Sequence, residues 1–250
     1  MAHPDLRQES RVHHAAIRFP ARRPRICEPF GQYFFLVTMH QEVLKNQALR
    51  LLSSLSAFKD DFYLAGGTGL ALQIGHRISV DFDLFSDAPI KKTLLARVEA
   101  LYSNETREIT ISNRNELTIF IAGVKFSFLH YPFAPILPLD TSTPIPLLSV
   151  KEILAAKAYT IGRRGEFKDY VDLYIGLSRG HIALTELIKL AQQKYGDAFN
   201  DRLFLEQLVY LDDLEPVEII LTAGKAPTKG ELLDYFSDLV QRESAPSRLI

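Results

Sequence analysis

Two stretches decide the reading of this chain: Leu64-Ala65-Gly66-Gly67-Thr68 and Ser79-Val80-Asp81-Phe82-Asp83-Leu84-Phe85. The apolar run from Phe62 to Ala65 predicts a short buried strand. Gly66 and Gly67 then remove two side chains where the backbone turns, which lets amide N–H groups approach a ligand. Thr68 stands where a helix N-cap is expected, ahead of Leu70, Ala71, Leu72 and Ile74, and Gly75 is placed to end that helix. A helix that opens on a glycine-rich turn offers orphan N–H groups and a positive dipole end to an anion. In the next strand, period 2 sets Asp81 and Asp83 on one face and Val80, Phe82 and Leu84 on the other. Two carboxylates beside a phosphate cradle suit Mg²⁺, which takes one or two carboxylates and leaves its other positions to phosphate and water. Either piece alone also fits a plain turn or the wet face of a half-exposed strand. The helix-sized gap of 12 residues between Thr68 and Asp81 is what makes the pair specific.

A glycine pair followed by Asp-x-Asp resembles the signature of the polymerase-β-like nucleotidyltransferase superfamily. More narrowly, Gly66-Gly67-Thr68-Gly69-Leu70-Ala71-Leu72, with Gly75-His76-Arg77 and the Asp81-Phe82-Asp83 segment, resembles the AbiEii/AbiGii-type nucleotidyltransferase toxin family. The resemblance runs from about residue 44 to about residue 236. It implies an α/β (α+β) fold, with a nucleotidyltransferase palm built on a mixed sheet and a C-terminal helical lobe.

Composition sets wide bounds. The 250 residues, 47% hydrophobic and 24% charged, suit one large globular domain or two small lobes. A net charge of −1 gives no global attraction to nucleic acid, so any RNA contact must come from local patches. The single cysteine, Cys27, excludes an internal disulfide and a cysteine-based zinc site and suits a cytoplasmic location. No apolar run reaches membrane-span length. Residues 1–25 carry six arginines and no lysine, with little periodicity. Residues 1–38 are read as a disordered leader or as sequence ahead of a true start at Met39, with a basic RNA-touching arm as the functional alternative. An arginine-rich leader also resembles a transit peptide, against which stand Asp5, Glu9 and Glu28.

After the signature, residues 39–131 are expected to form the palm, with strands at 106–112, 118–121 and 124–129 and a turn at Ala122-Gly123. Pro132, Pro135, Pro138, Pro144 and Pro146 mark residues 132–148 as a surface crossover. Residues 149–250 then read as the helical lobe that completes the cleft. Ser149 with Glu152 makes a capping box that opens a helix to about residue 161. Further helices are predicted at 167–177, 182–195, 199–208 and 231–242.

Lys157 falls inside the apolar stripe of Ile153, Leu154, Ala158 and Ile161. Its stem either snorkels over apolar surface or delivers an ammonium to phosphate, and in the second case Lys157→Met keeps or raises stability. In the following helix Asp169 and Asp172 share a face at i,i+3, and Lys168 can pair with Asp172 at i,i+4. A solvated, salt-bridged face is the plain reading of that pattern. However, Lys168-Asp169-Tyr170-Val171-Asp172-Leu173 resembles the family's later Asp-x-x-Asp-Leu motif, and Lys157 sits where the family's lysine motif falls. His76, Arg77, Arg163 and Arg164 are candidates for basic contacts near the cleft, whereas His130 reads as structural.

Together these imply transfer of a nucleoside monophosphate from an NTP. Asp81 and Asp83 would hold Mg²⁺ or Mn²⁺, and Gly66, Gly67 and Thr68 would cradle the β/γ-phosphates. Lys157 would neutralise the leaving pyrophosphate, and Asp169 and Asp172 would position the acceptor or serve as base. The resemblance implies a toxin that acts on tRNA or other RNA and is paired with a cognate antitoxin. One departure stands out. Ser127 occupies the position where many nucleotidyltransferases carry a third carboxylate, and a serine hydroxyl is a poor ligand and no base. A catalytically silent binder of nucleotide or RNA and a small-molecule nucleotidyltransferase therefore stay open as alternatives.

Overall fold

The computed structural model describes residues 39–244, so the expectations for residues 1–38 lie outside the described residues. After helix α1 (Asn46–Leu52), strand β1 (Tyr63–Leu64) leads into α2 (Gly66–Ile74) and β2 (Phe82–Ser86). Helix α3 (Leu94–Leu101) precedes the meander β3 (Arg107–Ser112), β4 (Glu116–Ile121) and β5 (Val124–His130). Helices α4 (Val150–Arg164), α5 (Phe167–Ser178), α6 (Leu184–Tyr195), α7 (Asp201–Leu208) and α8 (Lys229–Ser244) follow. The strands make one mixed sheet in the order β1-β2-β5-β4-β3, with β2 and β5 parallel and the other pairs antiparallel.

Alternation decides which face of this sheet is wet. Phe82 and Leu84 on β2, Phe126 and Phe128 on β5, and Leu117, Ile119 and Ile121 on β4 are buried in a core with Leu51, Leu55, Phe58 and Val98. The rings of Phe82 and Phe126 meet edge to face at 5.1 Å. The residues between them, Asp83, Lys125, Ser127 and Glu116, line a cleft on the opposite face. The β4–β5 hairpin closes where expected, on Ala122 at φ 49° and Gly123 at φ 79°, the left-handed pair a two-residue turn needs. Val80 departs from the predicted alternation. It precedes β2 and is 37% exposed, because β2 begins only at Phe82.

The helices bury a second core around Ile153, Leu154, Ala158, Tyr170 and Val171, to which α2 contributes Leu70. Ser149 caps α4 by accepting from the Glu152 N–H at 3.3 Å. Glu152 does not close the box. Its carboxylate turns away to accept from the N–H groups of Ile136 and Leu137, both at 3.0 Å, and pairs with buried Lys194 at 2.7 Å. The proline-rich segment is thereby tied to α4 and α6. Its end is also no surface crossover: Ile145, Leu147 and Leu148 are buried, and Leu147 bridges to Leu64.

Candidate active site

Helix α2 begins at Gly66, one turn earlier than the Thr68 cap predicts, with Ala65 as an N-cap that provides no side-chain acceptor. The N–H groups of Gly66 and Gly67 therefore head a helix with no side chain to satisfy them. Gly66 has φ +62°, and a Cβ there would lie 2.1 Å from Asp83 Oδ2. A Cβ on Gly67 would lie 2.2 Å from an Arg77 Nη atom. The two bare positions make room for a carboxylate and a guanidinium against the first turn of α2.

Thr68 is not the cap but an interior residue of that turn. Its hydroxyl hydrogen-bonds Ser79 Oγ at 2.7 Å and donates to the Asp81 carbonyl oxygen. Both contacts point inward, so Thr68 fixes the segment that carries Asp81 and has no hydroxyl left for a phosphate. Gly75 ends α2 in the left-handed conformation, as expected.

Asp81 and Asp83 line a cleft of about 660 Å³ with Gly66, Gly67, Glu116, Lys125, Ser127, Lys157, Arg164, Lys168 and Asp169. Among the described residues neither aspartate forms an ion pair. Burial pushes the Asp83 carboxyl above the ordinary aspartate range, against the pull of Lys157 and Lys125. A pair of carboxylates with no internal partner, one of them held at a cost in free energy, is a donor set that gains from a hard cation. No third His, Cys, Asp or Glu joins them as a ligand cluster among the described residues. The set fits Mg²⁺ or Mn²⁺ when phosphate oxygens and water fill the remaining positions. The parallel register places Ser127 directly beside Asp83.

The acids of α5 have another fate. Asp172 is fully buried and does not line the cleft. Arg77 grips it with Nε at 2.7 Å and an Nη at 3.1 Å, His76 Nε2 reaches it at 2.8 Å, and Lys157 Nζ lies at 3.1 Å. Burial alone would raise this carboxyl, but Lys157, Arg77 and the His76 bond hold it well below the aspartate range. Asp169 takes Lys157 Nζ at 2.5 Å on one oxygen and the Glu166 N–H at 3.2 Å on the other. Burial opposes the charge on Lys157, yet Asp172 and Asp169 raise its pKa above the ordinary lysine value. Because Asp172 is acceptor-only, His76 must carry its proton on Nε2, which leaves Nδ1 buried without a partner. Burial lowers the His76 pKa despite the bond to Asp172.

Several expectations change on this geometry. Asp172 is a structural anchor between α5 and the residues ahead of β2, out of reach of any acceptor. Asp169 faces the cleft with both oxygens engaged. Lys157 faces it too, with two carboxylates on its ammonium. Lys168 pairs with Glu166 at 3.0 Å rather than with Asp172. Arg77 lines the cleft with its guanidinium fixed on Asp172, whereas Arg163 turns away, over the Tyr159 ring and onto the Ala198 carbonyl. Glu116 and Lys125 face the cleft and carried no motif signal. Their only sequence mark is the alternation that sets them on the face opposite Leu117 and Phe126.

The chain is similar to known proteins in sequence and in fold. An uncharacterized protein of Aquifex aeolicus (strain VF5) is 33% identical over 181 residues, which span 68% of this chain and 82% of that protein. The crystal structure of an H. pylori protein described as a candidate nucleotidyltransferase superposes with a TM-score of 0.52. It is 18% identical and covers 79% of this chain and 96% of its own, which is a likeness of fold. The family model described as nucleotidyl transferase AbiEii toxin, type IV toxin–antitoxin system, matches residues 50–241. The chain belongs to the AbiEii nucleotidyltransferase toxin family.

Proposed function

We propose that this cleft transfers a nucleoside monophosphate from an NTP to the hydroxyl of an RNA acceptor, tRNA foremost, in a toxin opposed by a cognate antitoxin. The observation that carries the reading is the unpaired Asp81–Asp83 couple set against the bare first turn of α2. In the transfer, the acceptor hydroxyl gives its proton to solvent and its oxygen forms a bond to the α-phosphorus as the bond from that phosphorus to the α–β bridging oxygen breaks, and pyrophosphate leaves. A bound Mg²⁺ or Mn²⁺ ion supplies charge neutralisation to the phosphates. The chain's own work is placement. Asp81 and Asp83 hold the cation, and the Gly66 and Gly67 N–H groups receive the β/γ-phosphates. The Asp169–Asp172 network sets the helical wall rather than touching substrate.

Purified protein with Mg²⁺ and each labelled NTP, offered total tRNA and total protein, tests this reading. Label in tRNA that disappears in the Asp81→Asn/Asp83→Asn double variant is the expected result. That variant should melt no lower than the wild type, since Asn removes a carboxylate held above its ordinary pKa. Equal nucleotide binding by wild type and double variant would refute the role given to the pair. Ser127 beside Asp83 favours a second reading, a silent nucleotide binder, for which NTP binds and no acceptor is labelled.

A further inference from the structure

Lys125 is a cation of this cleft that the proposed transfer does not use. It is half-buried, faces the cleft from β5, and forms no ion pair among the described residues. Lys125 precedes Phe126, the partner of Phe82 where the β2–β5 ladder begins, and it lines the same cleft as Asp81. The two carboxylates thus have different flanks. On the β1 side the first turn of α2 closes on Asp83, with the Ala65 N–H donating to the Asp83 carbonyl at 2.9 Å. On the β5 side stand Ser127 and Lys125.

In-line displacement fixes what belongs on each flank. The attacking oxygen and the leaving oxygen lie on opposite sides of the phosphorus. With pyrophosphate leaving toward the α2 N-terminus, the acceptor hydroxyl must arrive from the β5 flank. We infer that Lys125 is an acceptor-binding residue, and that it holds the phosphodiester next to the terminal hydroxyl of an RNA strand. A free ammonium there repels a polycationic small molecule and gives a neutral one nothing to bind. Its neighbours sharpen the point. Lys125 stops short of bonding Asp81 or Asp83, so its charge remains available to an incoming anion. Lys157, by contrast, already carries two carboxylates.

This inference rests on the proposed nucleotidyl transfer, and its test separates the two. The probes are Mg²⁺–NTP and a short labelled RNA ending in a 3′-hydroxyl, made with a native or a methylphosphonate last linkage. Lys125→Gln should weaken binding of the native strand about tenfold and lower the salt slope by about one. The methylphosphonate should weaken wild-type binding by a similar factor and add nothing in Lys125→Gln. NTP affinity should stay unchanged in Lys125→Gln. Arg202→Gln, which removes an equal charge from an exposed site on α7, should leave both affinities at the wild-type value. Loss of NTP affinity in Lys125→Gln would instead put the lysine on the triphosphate and overturn the inference. Equal RNA affinity, additive losses, or label transferred only to protein or small acceptors would also overturn it, with nucleotidyl transfer left standing. A wild type that neither binds nor transfers NTP ends both.

Discussion

The apolar stripe on α4 argues that Lys157→Met leaves stability intact or raises it, and the structure argues the reverse. Lys157 is 9% exposed and is the only cation touching Asp169 among the described residues. Breaking a buried ion pair by removing one partner costs about 3–5 kcal/mol, because the surviving charge loses its compensation. The lower end applies here. Asp172 keeps the Arg77 fork and the His76 bond, and Asp169 keeps the Glu166 N–H. Methionine refills the stem's apolar contacts, which returns about 1 kcal/mol. The net loss is about 2 kcal/mol, or roughly 4–8 °C in melting temperature for a chain of this size. Thermal unfolding followed by circular dichroism reads it directly. Adding Asp169→Asn to Lys157→Met should recover part of the loss, since the orphaned group is then neutral. A Lys157→Met protein that melts at or above the wild-type temperature would refute the reasoning. It would mean that the ammonium points into the cleft and that the two aspartates need no cation.

Two further outcomes follow from the same geometry. Gly66→Ala puts a Cβ 2.1 Å from Asp83 Oδ2 at φ +62°, so it should destabilise by about 1–2 kcal/mol and displace the carboxylate; Mn²⁺ titration should show weakened divalent binding, and wild-type affinity would show that Asp83 tolerates the crowding. His76 has a folded-state pKa below its ordinary 6.5, so as pH falls through that value the unfolded chain takes a proton that the folded chain refuses, and stability drops. Urea midpoints between about pH 7.5 and pH 5.5 should therefore fall more steeply for wild type than for His76→Gln, which keeps a donor to Asp172 but has no proton to gain; parallel slopes would refute the assignment.

What the sequence made legible was local. The alternation Phe82-Asp83-Leu84 and the Ala122-Gly123 hairpin follow from periods and turn chemistry that operate within a few residues. The helical spans in the second half came within a few residues for the same reason. From sequence Thr68 reads as an N-cap because a hydroxyl after a glycine pair has that chemistry; only the fold shows Ser79 and the Asp81 carbonyl waiting beneath it. The fate of Asp172 was out of reach. Arg77 stands 95 residues away in sequence, and at i,i+3 with Asp169 the residue looks like one half of a wet face. Only packing of α4 and α5 against the segment ahead of β2 turns those acids inward. Val80 failed for a smaller reason, since alternation holds only once the ladder with β5 begins.

The glycine pair carries a more general caution. Gly66 and Gly67 resemble a phosphate cradle, but the folded chain needs both of them with no phosphate present. One clears the Asp83 carboxylate and the other the Arg77 guanidinium. Loss of activity on substituting either therefore cannot be credited to lost N–H contacts, because the same change moves a metal-binding candidate or breaks the grip on Asp172. The anion reading of that turn stands instead on charge. The helical wall behind it balances Arg77 and Lys157 against Asp169 and Asp172, so it adds little net field to the cleft. Asp81 and Asp83 are left as carboxylates without internal partners, and Asp83 is penalised for being ionised. A triphosphate alone would be repelled by that pair, whereas a divalent cation relieves the penalty and draws the triphosphate with it. On the proposed transfer, nucleotide affinity should accordingly be governed by the metal far more than by the glycines, a dependence that would set this cleft apart from an ordinary helix N-terminus.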